Sequence, residues 1–465
     1  MIIRYYSHAT FQLVSEKGLR LLTDPWLFNP VYGHMIWQFP ECPISDKEYF
    51  EQDFIYISHE HPDHFCLRTL DSFSRHTPII IRRYNTAEFL RNRLHRLGFL
   101  NTIELSHRES ICLGKDLEVT LVADPFSSDS LLIVSDGSHT VLNQNDCIPT
   151  VDDQAWIDKN FDIDLGLIFY SGGSQYPSCF EMDDAAKKIA TEKRINSQML
   201  SAIDITERMG IRRAIPAAND MCSFRNPEFD QFASALPVEF RDFVRLNNVD
   251  LEILLVSPGE TYSFVESSDN FNKFFKNRDE WIKEADKLRN HRDVVETKEK
   301  LERFERKALF DHQKFQMMMA QYLSVCPQRM VTSILVNNNF KVGFIINQGD
   351  RRHGYLISCD VEGVWNIVPG VAMSILECED LHMCVSVNAD VAALAMSGAL
   401  TWEDLMNGQY RVYRPVHSFN DNEYAFWEML SGFTPYLEEK NEQPECGLRG
   451  KFQIKRDTSN MSLGR

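Results

Sequence analysis

The chain has 465 residues, 43% of them hydrophobic and 25% charged, which is the composition of a globular protein of two or three domains and excludes a disordered or collagen-like chain. Its 49 basic and 67 acidic residues give a net charge of −18, which argues against binding nucleic acid or an anionic membrane surface. The absence of a membrane-spanning apolar run or a secretory signal, together with 11 scattered cysteines, predicts a reduced, cytoplasmic protein.

The first 268 residues are expected to form one domain in which strands and helices alternate. The spacing of apolar residues predicts strands over 1–14, 19–28, 54–57, 77–81 and 165–170, and helices over 85–98 and 184–208. Two layers of strands with helices outside them are typical of an αββα sandwich.

The remainder of the chain divides by composition into three segments. Residues 269–325 are rich in charge, with apolar residues at helical spacing, and predict a helical connector. Residues 326–437 return to short strands followed by helices, which predicts a smaller α+β domain. Residues 438–465 are polar and are expected to form a poorly ordered tail.

The strongest chemical signal is the sequence HEHPDH at positions 59–64, directly after a predicted strand. Side chains alternate along an extended segment, so His59 and His61 can point to the same side. The Pro-Asp turn can bring Asp63 and His64 towards a second position. This arrangement predicts two neighbouring divalent metal ions that share a water or hydroxide, and the alternative is a solvated polar loop.

This HxHxDH pattern resembles the signature of the metallo-β-lactamase superfamily, and the segments SHATFQL and LLTDPW resemble its UlaG-like branch. The resemblance implies that the αββα sandwich is a metallo-β-lactamase fold. It also implies that Asp24 orients a metal-binding histidine and that Asp146 bridges two metal ions. The alternatives are a turn residue before Pro25 for Asp24 and an ordinary strand-end residue for Asp146.

A further resemblance, to the CMP-N-acetylneuraminate hydroxylase family, runs weakly from about residue 1 to residue 430. It is carried by LGLIFYSGGSQYPSCFEMDDA at 165–185, by RRAIPAAND after the helix at 184–208, and by ADVAALAMSGALTWEDLMNGQYRV at 389–412. It implies an oxygenase-type catalytic domain. The segment LAMSGALTWEDLMNGQ also resembles the end of an SCP2-type carrier domain, which implies a pocket for an apolar ligand.

The sequence departs from these families at three points. None of the 11 cysteines is followed by histidine two positions later, so the Rieske cluster of the hydroxylases is not expected and electrons would come from a separate protein. The stretch 122–128 lacks the usual histidine, and Asp124 is the nearest candidate ligand or else a turn residue. The stretch 216–220 also lacks one, with Asn219 or Asp220 in its place. A ligand set with more carboxylates and fewer imidazoles favours iron or manganese over zinc as the expected metal.

Other residues are weaker candidates. His8 can line the metal pocket or bond to the backbone. The loop Ser171, Gly172 and Gly173 ends a buried strand, where backbone can approach a ligand closely. With Tyr176, which can stack on a substrate ring, and Asn219, this loop forms the candidate substrate site.

The predicted metal ligands are His59, His61, Asp63, His64, Asp124 and Asp146, and the predicted catalytic residues are Asp63, His64 and His8. The leading interpretation is an oxygenase acting on a small molecule, using one or two divalent ions, iron first and zinc or manganese as alternatives. The second is a dinuclear hydrolase of a phosphodiester, lactone or amide. The third is a ligand-binding protein with a degraded metal site.

Overall fold

The structure is a computed structural model that describes residues 1–32, 35–42, 49–83, 89–114, 116–125, 127–173, 176–224, 227, 230, 234–264, 277–305, 309–325, 340–359, 365–370, 381–397, 402, 405 and 408–413. The chain divides into two compact units. The first comprises Met1–Ser178 and Asp184–Asp286, and the second comprises Cys179–Asp183 and Lys287–Arg465.

Two seven-stranded sheets form the first unit. The first sheet has the order β16-β1-β2-β3-β5-β6-β7, with β1 Ile2–Ser7, β2 Thr10–Val14, β3 Arg20–Thr23, β5 Phe54–Tyr56, β6 Ile79–Arg82, β7 Thr102–Leu105 and β16 Thr261–Ser263. In this sheet β3, β5, β6 and β7 are parallel, so their carboxyl ends lie along one edge.

The second sheet has the order β15-β13-β12-β11-β10-β9-β8, with β8 Glu109–Leu113, β9 Leu117–Ala123, β10 Ser130–Ser135, β11 Thr140–Asn143, β12 Leu165–Phe169, β13 Arg213–Ala217 and β15 Glu252–Ile253. Strands β11, β12, β13 and β15 are parallel. A separate pair joins β4 Ile36–Gln38 to β14 Met221–Ser223.

Three apolar layers hold these sheets and their helices together. The inner faces of both sheets bury one core, which includes Tyr56 from the first and Leu132 from the second. Separate clusters bury the outer faces, one with Leu94 and the other with Phe240. The helices of this unit are α1 Leu67–Leu70, α2 Phe89–Arg96, α3 Val151–Asn160, α4 Asp184–Arg208, α5 Pro237–Leu246 and α6 Arg278–Arg289. The predicted αββα sandwich is therefore confirmed.

The second unit is built on a five-stranded sheet of order β19-β18-β17-β20-β21. Its elements are α7 Arg292–Glu305, α8 His312–Val325, β17 Lys341–Gln348, β18 Arg351–Cys359, β19 Trp365–Pro369, β20 Met383–Asn388, α9 Ala389–Met396 and β21 Tyr410–Tyr413. Helix α8 contacts β19, and α9 contacts β17 and β20. The prediction of helices followed by a smaller α+β domain is confirmed, and the likeness to SCP2-type carriers stays a prediction.

The two units meet in sequence at residues 286 and 287, whereas the composition predicts a boundary at 268 and a connector over 269–325. The reason lies in α6, whose apolar face packs on the first unit. The ring of Trp281 meets Phe39 edge-on at 5.4 Å, and Arg278 lies 2.6 Å from the carboxylate of Glu239. The predicted tail at 438–465 lies outside the described residues. Among the described helices, none combines the length and apolar character that crossing a bilayer requires.

Candidate metal centre

The histidine-rich loop leaves the first sheet at the carboxyl end of β5, and Asp24 leaves it at the end of the neighbouring parallel strand β3. From the second sheet, Asp146 follows the carboxyl end of β11. Open sheets with parallel strands bind ligands at the carboxyl ends of those strands. The loops of both sheets meet at this edge, because Nε2 of His64 lies 3.5 Å from Oδ2 of Asp146.

A tight turn folds the HEHPDH loop back on itself. The backbone N–H groups of His64 and Phe65 both donate to the carbonyl oxygen of His61, at 3.0 and 2.7 Å. The turn separates the side chains into two groups. Within each group, the candidate ligand atoms all lie within 4.8 Å of one another. We call the two groups the buried group, His8, Asp63 and His64, and the open group, His59, His61 and Asp146.

The buried group is sealed from solvent. All three side chains are buried, and Nε2 of His8 lies 3.0 Å from Oδ2 of Asp63. Nε2 of His64 lies 3.9 Å from the same oxygen. Two imidazoles and one carboxylate therefore converge on one point inside the protein.

The open group is partly accessible, since 27% of the Asp146 side chain is exposed while His59 is buried. Nε2 of His59 lies 2.7 Å from Nδ1 of His61. Two ring nitrogens at this distance repel each other unless a proton or a cation lies between them. This group can therefore receive a metal ion that a small molecule can still reach.

Several candidate ligand atoms in these groups lack a hydrogen-bond partner among the described residues. Among the described residues, both ring nitrogens of His8, Nε2 of His64 and Oδ1 of Asp146 are buried without a hydrogen-bond partner. Buried polar atoms are nearly always paired, and exceptions point to an ion or water. Imidazole nitrogen and carboxylate oxygen are the donors that zinc, iron and manganese accept, so this set fits a divalent metal.

The pKa values of His64 and His59 shift in opposite directions. Burial alone would lower the pKa of His64, but the carboxylates of Asp146 and Asp63 raise it well above its usual range. Burial likewise would raise the pKa of Asp63, but His64 holds it far below the usual range. Burial, His64 and His61 lower the pKa of His59. A neutral His59 beside ionised carboxylates is the state that binds a cation.

Asp24 and Ser58 fix the orientation of two imidazoles. Nδ1 of His64 donates to Oδ2 of Asp24 at 2.9 Å, and Nδ1 of His59 lies 2.9 Å from the hydroxyl of Ser58, which in turn donates to Asp24 at 2.7 Å. Hydrogen bonds at Nδ1 leave Nε2 of both rings available to a metal. Asp24 thus contacts His64, a predicted ligand, and its role towards a metal stays a prediction, while sequence reasoning missed Ser58.

Strained backbone is concentrated around the same loops. His8, Asp24, Tyr32, Asn145 and Ala218 all have positive φ angles, between 38° and 61°. This left-handed conformation costs a residue other than glycine about 1 kcal/mol. Such strain persists where the surrounding structure fixes it, typically at functional sites.

The stretch after β9 contains two carboxylates, Asp124 and Asp129, which make different contacts. Asp124, the predicted ligand, belongs to neither group of described residues, and its Oδ2 accepts a hydrogen bond from Ser127 at 2.9 Å. Oδ1 of Asp129 lies 3.6 Å from Nε2 of His59. Asp129 thus approaches His59 of the open group, although it belongs to neither group of described residues. Sequence reasoning missed it although it lies in the same stretch, VTLVADPFSSDS.

The residues of the predicted substrate site pack against the protein. Ser171 accepts a hydrogen bond from the backbone N–H of Ala235 at 2.9 Å, and a Cβ at Gly172 would lie 2.7 Å from the ring of Phe169. A Cβ at Gly173 would lie 3.0 Å from Cε of Met221, and Tyr176 is half-buried. Asn219 donates to the Tyr170 hydroxyl at 3.1 Å and to the carbonyl of Ala235 at 2.7 Å. Their role towards a substrate stays a prediction.

Tyr32 is a third residue near the site that sequence reasoning missed, after Ser58 and Asp129. Its hydroxyl donates to Oδ1 of Asp63 at 2.7 Å, although the sequence around it shows no motif. We expect Tyr32→Phe to weaken metal binding about tenfold, because partners that orient a ligand typically contribute that much. Metal titration against a chelator measures this change.

Tyr262→Phe provides the matched control for Tyr32→Phe, since the Tyr262 hydroxyl accepts a hydrogen bond from Arg213 at 3.2 Å, away from the loops of the site. It should leave metal affinity unchanged. Equal metal affinities for Tyr32→Phe and the wild type would show that Tyr32 does not support Asp63.

Residues 2–140 match the family model described as a β-lactamase superfamily domain. A putative Rieske 2Fe-2S iron-sulfur protein from Mycobacterium tuberculosis is 30% identical over 289 residues, which cover 58% of this chain and 55% of that protein. The cytidine monophosphate-N-acetylneuraminic acid hydroxylase of Asterias rubens is 30% identical over 151 residues, which cover 31% of this chain and 23% of the hydroxylase.

The chain thus spans about half the length of the mycobacterial relative. Among solved structures, a possible metal-dependent hydrolase from Veillonella parvula aligns over 56% of this chain and 98% of its own, with 15% identity and a TM-score of 0.42. The family model covers the HEHPDH loop and Asp24, which carry the predicted resemblance. Residues 2–140 therefore match a β-lactamase superfamily domain, and part of the chain is similar to a cytidine monophosphate-N-acetylneuraminic acid hydroxylase, in line with the resemblances that the sequence carries.

Proposed function

We propose that this chain is a metal-dependent oxygenase that hydroxylates a small molecule, with iron as its metal. The observation that carries this proposal is the composition of the open group, two imidazoles from His59 and His61 and one carboxylate from Asp146. Two histidines and one carboxylate are the set with which non-haem iron oxygenases hold iron while leaving positions open. The similarity to a hydroxylase supports the same reaction class.

The reaction balances with an external source of electrons. One C–H bond of the substrate, one O2, two electrons and two protons give one C–OH group and one water. None of the 11 cysteines here is followed by histidine two positions later, so this sequence offers no Rieske ligand pair. A separate electron-transfer protein is therefore the proposed electron donor.

Iron would supply the oxygen chemistry, and the residues of the chain position it. Asp24 and Ser58 keep the protons of His64 and His59 on Nδ1, so that both Nε2 atoms face the centre. The ionised carboxylate of Asp146, whose pKa is lowered by His64 and His59 against the effect of burial, offsets the charge of a cation. Its exposed portion marks the side from which a substrate can approach.

A dinuclear hydrolase is the second candidate, and one distance favours it. The buried and open groups adjoin, with Nε2 of His64 3.5 Å from Oδ2 of Asp146. A carboxylate between two groups can bridge two metal ions, which then activate a shared hydroxide for attack on an ester or amide. The same residues can therefore serve either reaction, and the metal and the need for O2 distinguish them.

The test begins with protein made without a metal-binding tag and loaded without oxygen with either iron(II) or zinc. Nitric oxide, which binds where O2 binds, should give the iron-loaded protein the electron paramagnetic resonance signal of an iron–nitrosyl complex. With CMP-N-acetylneuraminate as probe, a chemical reductant and 18O2, we expect labelled hydroxyl product from the iron-loaded protein alone.

If zinc-loaded protein hydrolyses bis(p-nitrophenyl) phosphate without oxygen, and iron-loaded protein gives no nitrosyl signal, the hydrolase is the correct function. If neither metal binds, the chain is a ligand-binding protein with a degraded site.

A further inference from the structure

The resemblance to the metallo-β-lactamase superfamily implies a histidine in the stretch 216–220, where this sequence has PAAND. In this stretch the side chain of Asn219 is committed to Tyr170 and Ala235. Oδ2 of Asp220 accepts a hydrogen bond from the backbone N–H of His8 at 3.2 Å. The stretch 216–220 therefore contacts the turn between β1 and β2 at His8.

Two hydrogen bonds join this turn to the stretch 216–220. Besides the bond to Asp220, the backbone N–H of Ala218 donates to the carbonyl oxygen of His8 at 3.0 Å. Both His8 and Ala218 have left-handed backbone, with φ angles of 58° and 61°. Hydrogen bonds at both the N–H and the C=O of His8 fix its backbone. The ring then lies beside Asp63 and His64, the other two members of the buried group.

The ring of His8 makes contacts expected of a ligand. It is 1% exposed, and its centroid lies 5.2 Å from that of Trp26 and 5.3 Å from that of His64. Its Nε2 lies 3.0 Å from Oδ2 of Asp63, yet neither ring nitrogen has a hydrogen-bond partner among the described residues. A buried imidazole held 3.0 Å from a carboxylate oxygen is placed to share a cation with it.

We propose that His8 supplies the imidazole that the stretch 216–220 lacks, as the third metal ligand of the buried group. Asp220 is then a positioning residue, which holds the backbone of His8 from the stretch where the family resemblance implies a histidine. The inference rests on the proposed function only in that a metal binds here, and it holds for an oxygenase or a hydrolase. It gives the buried group the same composition as the open one, two imidazoles and one carboxylate.

Two substitutions of His8 test this ligand role with zinc as the probe. We expect His8→Ala to bind one zinc ion fewer per chain than the wild type, counted by elemental analysis after gel filtration. His8→Gln keeps a side-chain N–H that can donate to Asp63, and we expect its zinc affinity at this group to fall about tenfold or more in chelator competition.

The controls separate a ligand from a structural histidine. His107→Ala removes a histidine whose Nε2 lies 3.3 Å from a buried carboxylate, that of Asp153, and it should retain all zinc. Circular dichroism of the metal-free variants establishes that each one folds. If His8→Gln binds zinc as the wild type does, or if folded His8→Ala loses none, the proposal is overturned. Zinc is counted without oxygen or substrate. The zinc count therefore tests the ligand role of His8 even if the oxygenase proposal fails.

Discussion

His61→Ala is expected to lose one metal ion per chain and all oxygen uptake. His61 provides one of the two imidazoles of the open group, and its Nδ1 lies 2.7 Å from Nε2 of His59. Without it, only one imidazole and one carboxylate remain, and the group no longer has the set that holds iron with open positions. Elemental analysis and an oxygen electrode measure the two effects on the same sample.

His76→Ala is the control for His61→Ala, because His76 is an exposed histidine outside both groups. It should keep the metal content and oxygen uptake of the wild type. An unchanged metal content in His61→Ala would show that the HEHPDH loop is not the metal site.

Asp146→Asn is expected to lower metal affinity at the open group about a hundredfold or more, beyond the range usual for residues that only support a ligand. The amide keeps the shape of the side chain but removes the charge that stabilises a cation. The structure gives this carboxylate a central position, since its Oδ2 lies 3.5 Å from Nε2 of His64 in the buried group. Isothermal titration with iron(II) under nitrogen measures the loss.

Asp124→Asn tests the alternative carboxylate in the same experiment. Asp124 belongs to neither group, and Ser127 donates to its Oδ2, so we expect wild-type metal affinity. If Asp124→Asn loses metal while Asp146→Asn retains it, Asp124 is a ligand, Asp146 is not, and the open group is misassigned.

The contiguous part of the site was predictable from sequence because its ligands share one loop. HEHPDH contains four candidate ligands within six residues, and the strand before it, predicted over 54–57, is β5 at Phe54–Tyr56. The helix predicted over 184–208 is α4 with the same bounds. Local spacing determines such elements, so local reasoning finds them.

Contacts between distant parts of the chain could not be predicted in this way. Sequence alone does not distinguish a pocket role from a structural role for His8, since only the fold brings it to Asp63, 55 positions later. The hydroxyl of Tyr32 reaches the same carboxylate from a loop without a motif. Near the open group, spacing alone could not show that Asp129 approaches His59, because Asp129 follows β9 in an irregular stretch without a motif.

The domain boundary at 268 was displaced for a similar reason. Composition separates the charged helices from the first domain, but Trp281 and Arg278 of α6 pack on residues of that domain, Phe39 and Glu239. Charge density describes the exposed face of a helix, whereas two or three buried side chains decide which unit it joins.

The most direct test of the account is the metal content of the full chain, purified without a metal-binding tag from cells grown in air and measured by mass spectrometry. The account predicts two metal ions per chain, mainly iron, with one ion lost in His61→Ala and one in His8→Ala. A wild-type metal content unchanged by both substitutions would contradict it.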